Sequence, residues 1–157
     1  MVKSVNQGSK ANYNGKKSEA ICLKMLINKG FVIVKRNEDK PERWVMENVP
    51  FTSIYGHNAK TEFVIGFDKR EIRIEIKTQN AAGSVDEKLP YVLLNAIEAY
   101  PENETIIILE GNGFKNGAKE WVHKMIENNW LGYKQKGKTI QVMDLNNFGK
   151  WLDENIE

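Results

Sequence analysis

The chain has 157 residues, 41% hydrophobic and 28% charged, with a formal net charge of +2. That is about one domain in length and an ordinary soluble composition, and so mild a charge does not by itself announce a nucleic-acid partner. No apolar run approaches the ~18–20 residues of a membrane span, and the polar N-terminus lacks an apolar signal core, so no membrane partner is expected and the expected location is cytoplasmic. The single cysteine, Cys22, leaves no internal disulfide and fits a reducing compartment. It lies among Ile21, Leu23, Met25 and Leu26 and reads as core filler. Cys22, His57 and His123 have no zinc-ligand spacing.

In chain order, residues 1–14 are polar and read as a flexible basic arm, and residues 15–157 as a single domain. Gly15 to Asn28 repeats apolar residues (Ala20, Leu23, Met25 or Leu26, Ile27) at helical spacing, and Gly30 stops the run. Phe31–Val34 is a strand, residues 36–43 a charged loop, and Trp44–Tyr55 an edge or bent strand interrupted by Pro50. Two strands follow, Thr61–Ile65 and Ile72–Gln79, joined by the polar stretch Gly66–Arg70. Ser84 with Glu87 three residues on predicts a capping box opening a helix that ends before Pro101. Thr105–Leu109 is apolar throughout, as in a strand buried on both faces. A helix over roughly Asn116–Asn128, a strand over Thr139–Met143 and a helix capped by Asp144 complete an α/β chain with a mixed sheet.

The chemistry concentrates in the middle strands. With a side-chain period of two, Glu75, Lys77 and Gln79 share one face of their strand, while Ile72, Ile74 and Ile76 share the other. An antiparallel return through Gly66–Arg70 brings Glu62 beside Glu75. Two such carboxylates repel unless a cation separates them, and Mg²⁺ binds one or two carboxylates with water and phosphate completing its shell. The alternative is a solvated face on a two-stranded ribbon, since Glu-x-Lys alone is a weak signal. Lysines flank this acidic centre: Lys16 and Lys17 after the arm, Lys60 before Glu62, and Lys134, Lys136 and Lys138 in a block without acids. Basic margins around an acidic centre suit a polyanion over a metal.

Gly132–Thr139 matches the letters of a phosphate-binding loop. That chemistry needs a strand before it and a helix after it; here the order is reversed, so no nucleotide cofactor is expected.

The chain resembles the PD-(D/E)XK nuclease superfamily, which has a restriction-endonuclease-like fold. The resemblance rests on Glu19 in the first helix, Thr61-Glu62 opening one core strand, Ile74-Glu75-Ile76-Lys77-Thr78-Gln79 ending the next, and Gly83-Ser84-Val85-Asp86-Glu87-Lys88-Leu89-Pro90-Tyr91 entering a helix. Thr61 and Glu62 replace the family's usual proline and aspartate. The resemblance implies an αβββαβ core with a central mixed sheet flanked by helices, and a Mg²⁺-dependent DNA endonuclease for which Mn²⁺ would substitute. It further implies Glu62, Glu75 and the Ile76 carbonyl as metal ligands and Lys77 acting on the attacking water. Gln79 would position that water or a phosphate, Glu19 would complete the metal shell or steer Lys77, and Lys88 would meet a phosphate. A homodimer is expected because one site cuts one strand. The alternatives are a junction or flap resolvase, and a non-catalytic nucleic-acid-binding module on the same fold.

Overall fold

The computed structural model describes residues 7–157, with side chains from residue 12 onward. Helix α1 (Gln7–Asn28) leads into strands β1 (Val32–Ile33), β2 (Trp44–Thr52), β3 (Asn58–Phe67) and β4 (Arg70–Thr78). A 3-10 turn (Val85–Lys88) runs into α2 (Leu89–Glu98), followed by β5 (Glu104–Glu110), α3 (Asn116–Glu127), β6 (Thr139–Met143) and α4 (Leu145–Asn155). The predicted αβββαβ order is present as α1, β2, β3, β4, α2 and β5.

The six strands form one mixed sheet in chain order, β1 to β6. β2, β3 and β4 are antiparallel neighbours, whereas β4, β5 and β6 run parallel. Side-chain alternation divides the core accordingly. Ile72, Ile74 and Ile76 pack with Ile106 and Ile108 under residues of α1 and α4. Ile107 and Leu109 face the other way, against α2 and α3. β5 is thus buried on both sides, as its apolar run required.

Local departures from expectation have local causes. Residues 7–14, expected in the arm, are helical and extend α1 by two turns, so only residues 1–6 of that stretch lie outside the described residues. The buried stripe of α1 is Ser18, Cys22 and Leu26, spaced by four, while Ile27 is 47% exposed. β1 is shorter than the apolar run Phe31–Val34 because only Val32 and Ile33 pair with β2. Beyond Val45, β2 carries an outer edge that β1 does not cover, which is where Pro50 and its missing N–H are tolerated. The capping box at Ser84 does not form, since that side chain makes no cap hydrogen bond. At α4 the expected cap does form, with Asn147 N donating to Asp144 Oδ1 at 2.7 Å. Gly66 is required by contact: a Cβ there would lie 2.1 Å from the Trp44 indole.

One charged side chain sits in the middle of this architecture. Arg73 of β4 is 1% exposed and grips Glu102, which precedes β5, through Nε (2.6 Å) and Nη2 (3.0 Å). It also donates to the Val49 and Pro50 carbonyls of β2 and to Thr61 Oγ1 of β3. The rings of Phe51 and Tyr100 lie 5.4 and 5.2 Å from the guanidinium carbon. Removing one partner of a buried pair leaves the other charge uncompensated. Arg73→Ala is therefore expected to lower the unfolding free energy by about 3–5 kcal/mol in urea denaturation. Breaking the exposed Lys136–Glu98 pair by Lys136→Ala should cost less than about 1 kcal/mol.

Candidate active site

β3 and β4 pair from Phe67–Arg70 up to Phe63–Ile74, and there the register between them ends. β3 continues alongside β2 alone down to Asn58. The backbone N–H of Ile76 donates to Glu62 Oε2 at 2.8 Å, so the Glu62 carboxylate closes the gap that the parting strands leave. A strand residue directs its N–H and C=O to the same side, which aims the Ile76 carbonyl into this gap as well.

Glu75 is next to the gap and 5% exposed. Lys77, two residues along the same strand face, places Nζ 2.5 Å from Glu75 Oε1. Burial, then the charge of Glu75, pushes the Glu62 carboxyl up to about 7. Burial also raises Glu75, with Lys77 pulling the other way. Burial alone would lower the Lys77 amine, but Glu75, Glu62 and Glu19 together raise it and keep it an ammonium. Glu19 is half-buried on α1 and its charge reaches Cys22, Glu75 and Lys77. α1 is fixed beside β4 by Thr78 Oγ1 donating to Ser18 Oγ at 2.9 Å. Glu62, Glu75, Lys77 and the Ile76 backbone therefore meet at the end of β4, with Glu19 close behind.

The donor set fits a hard divalent cation: one buried and one half-buried carboxylate and a strand carbonyl, all oxygen, with a single lysine as counter-charge. Among the described residues no group of three or more His, Cys, Asp or Glu side chains could hold a metal ion.

Gln79 departs from the role expected of it. Its Oε1 accepts from Val85 N at 2.8 Å, and its Nε2 donates to Gly113 O at 3.0 Å and Asp86 Oδ2 at 3.2 Å. Gly113 N in turn donates to the Gln79 carbonyl. The amide is consumed in clamping the two loops that follow β4 and β5, and is not available to position a water.

The lysines divide between the two ends of the sheet. Lys60 lies on the part of β3 beyond Glu62, Lys88 ends the turn that Gln79 anchors, and Lys16 and Lys17 precede Ser18; all four are exposed at the site's end. Lys134, Lys136 and Lys138 precede Thr139, whose partner in β5 is Glu104, level with Ile72. That level lies five residues below Lys77, about 16 Å at strand rise. Lys136 pairs with Glu98, and Lys138 Nζ donates to the carbonyls of Tyr100 and Glu102. This block belongs to the opposite end and two of its members are engaged, which corrects its expected place beside the acids.

Arg73 contributes to the site without having been singled out in the sequence, and it engages Thr61, which was noted there only as the residue before Glu62. Arg73 lies two residues before Glu75 on its face, and its charge favours the ionised form of Glu75. Thr61, one residue before Glu62 on β3, accepts from Arg73 Nη1 at 2.9 Å. An arginine in phase with the strand's acids was the available signal.

The raised Glu62 carboxyl has a consequence for metal-free protein. The folded chain keeps its proton up to about pH 7, whereas the unfolded chain releases it near 4.5. The folded state therefore binds more protons in that window, and its stability should fall as pH rises from 4.5 through about 7. Thermal melts in EDTA should show this slope, and Glu62→Gln should flatten it. A variant that keeps the full slope would assign it to another group.

No curated protein and no solved structure matches the chain significantly. The family model described as a PD-(D/E)XK nuclease superfamily domain matches residues 10–156, nearly the whole chain. The chain belongs to the PD-(D/E)XK nuclease superfamily.

Proposed function

We propose that this protein is a Mg²⁺-dependent DNA endonuclease, intracellular and acting as a homodimer, with Mn²⁺ able to replace Mg²⁺. The observation that carries the reading is the Lys77 ammonium held on Glu75 where Glu62 crosses the gap between β3 and β4. Glu62, Glu75 and the Ile76 carbonyl are the groups that hold the cation. When bound, it acidifies water and stabilises charge on the scissile phosphate.

The chain's own residues supply the rest. Lys77 keeps its charge because Glu75 faces it, so it orients the attacking water and offsets the phosphate as a P–O ester bond is exchanged for a bond to the water oxygen. Glu19, a few side chains away, completes the metal's water shell or steers Lys77. Arg73 sets the position of Glu75 from below. Lys16, Lys17, Lys60 and Lys88 are the phosphate contacts this reading favours. A symmetric pair of protomers accounts most simply for cutting both strands.

The test is incubation with supercoiled plasmid and with a four-way junction, in Mg²⁺ and in EDTA. Cutting should require the metal and fall by about 10²–10⁴-fold in Lys77→Ala, with a comparable loss in Glu75→Ala. Intact DNA in every lane, together with no Mg²⁺ binding by calorimetry, would leave a non-catalytic binding module in its place. A strictly monomeric protein making concerted double-strand breaks would overturn the dimer.

DNA affinity should separate the two groups of lysines. Lys60→Ala and Lys88→Ala are expected to weaken binding and to reduce its salt dependence by about one counterion each. Lys134→Ala and Lys136→Ala should leave both unchanged.

A further inference from the structure

The turn between β2 and β3 carries aromatic rings that take no part in either core. Tyr55 is 69% exposed. Its ring stacks on that of Tyr91 in α2, with centroids 5.4 Å apart and planes 17° from parallel. His57 lies against it, 6.3 Å away and tilted by 55°.

The exposed Tyr55 ring, backed by the half-buried Tyr91, stands on a hydrogen-bonded mount. Ser53 N donates to the His57 carbonyl and Gly56 N to the Ser53 carbonyl, each at 2.8 Å. Ser53 Oγ accepts from the backbone N–H groups of Tyr55 and His57, both at 3.3 Å. Ile54 N donates to Asn95 Oδ1 at 3.0 Å. Ser53 is 5% and Asn95 2% exposed, so two buried polar side chains are committed to holding a ring that faces water.

The mount is at the active-site end. β3 runs from Asn58, next to the turn, to Glu62 in four residues, about 13 Å at strand rise. That span is roughly four base steps of 3.4 Å. Lys60 and Lys88, on the two segments that carry the rings, are both exposed.

We propose that Tyr55, backed by Tyr91, is a stacking platform for an unpaired base of the bound DNA, so that single-stranded or branched DNA is preferred to uninterrupted duplex. The Tyr55 ring keeps 69% of its surface exposed beside both neighbours, and stacking on exposed aromatic rings is how unpaired bases are held. An intact duplex presents base edges and phosphates to its surroundings, with no base face to offer. The short distance to Glu62 lets a strand stacked on Tyr55 continue over the acids. The proposal rests on the nuclease reading for where the substrate lies, but its stacking contact does not depend on turnover.

The experiment uses full-length Glu75→Gln protein in EDTA, so that binding is read without cleavage. The probes are a DNA flap carrying 2-aminopurine at an unpaired position and the fully paired duplex of the same sequence. The flap should bind more tightly, and its 2-aminopurine emission should be quenched on binding. Adding Tyr55→Ala should weaken flap binding by about 10-fold and abolish the quench while leaving duplex binding unchanged. Tyr55→Phe, which keeps the ring, should retain both. Equal losses on flap and duplex, or no loss on the flap, would overturn the platform. A dimer that dissociates in Tyr55→Ala by sedimentation would also overturn it, because the ring would then belong to a protein interface. Cleavage by protein with Glu75 intact is scored separately. A Tyr55-dependent quench with neither cleavage nor Mg²⁺ binding by calorimetry would reject the nuclease reading alone, and cleavage without that dependence would reject the platform alone.

Discussion

The ladder between β3 and β4 stops at Phe63–Ile74, and the site is what fills the space beyond it. Had the strands stayed paired to their ends, the Ile76 N–H would have a backbone partner and Glu62 would be one more side chain on a ribbon. Arg73 occupies the neighbourhood where β3 turns away. It reaches the Val49 and Pro50 carbonyls and Thr61 Oγ1, so the diverging β2–β3 pair is tied to β4 by a side chain where backbone bonds have ceased. Glu102 balances the charge of that tie and brings the start of β5 into the same knot.

Electrostatics then gives the gap its character. Two carboxylates face it, where an isolated charge is expensive, and one ammonium is in contact with Glu75. Proton uptake by Glu62 relieves part of the imbalance in the absence of metal. The same imbalance would favour a divalent ion, since the cation removes the repulsion between the acids. Rigidity at the rim has a similar logic: the Gln79 amide welds two loops together, and Ser53 and Asn95 fix the hairpin tip. Polar groups that could have faced substrate are instead used to hold others in place.

The sequence made legible whatever depends on near neighbours. The period of two placed Glu75 and Lys77 on one face and Ile72, Ile74 and Ile76 on the other, and the continuous apolar run at residues 105–109 located β5, the strand buried on both faces. Asp144 was readable as a cap because the bond it makes spans three residues. What escaped depends on segments far apart in the chain. Arg73 pairs with Glu102 across 29 residues, and Gln79 finds Gly113 across 34; no periodicity encodes either. Lys136 and Lys138 looked like free cations because their partners lie near α2 and the start of β5. Ser84 carries the letters of a capping box, but the Glu87 N–H that its side chain would accept donates to the Ser84 backbone carbonyl in a 3-10 turn. The polar composition of residues 7–14 suggested an arm and concealed two turns of helix.

The strands stand in the sheet in the order in which they are synthesised. No strand has to insert between two already paired, and each new one finds its neighbour waiting at the open edge. The β2–β3–β4 meander closes through short turns, which keeps early contacts local and the entropy of loop closure low. Glu62, Glu75 and Lys77 all lie on that meander, whereas Glu102, the partner of Arg73, comes later. The contacts that gather the acids are therefore local in the chain, and the counter-ion that anchors their frame reaches them across a long loop, so one part of the geometry closes over short distances and the other over long ones.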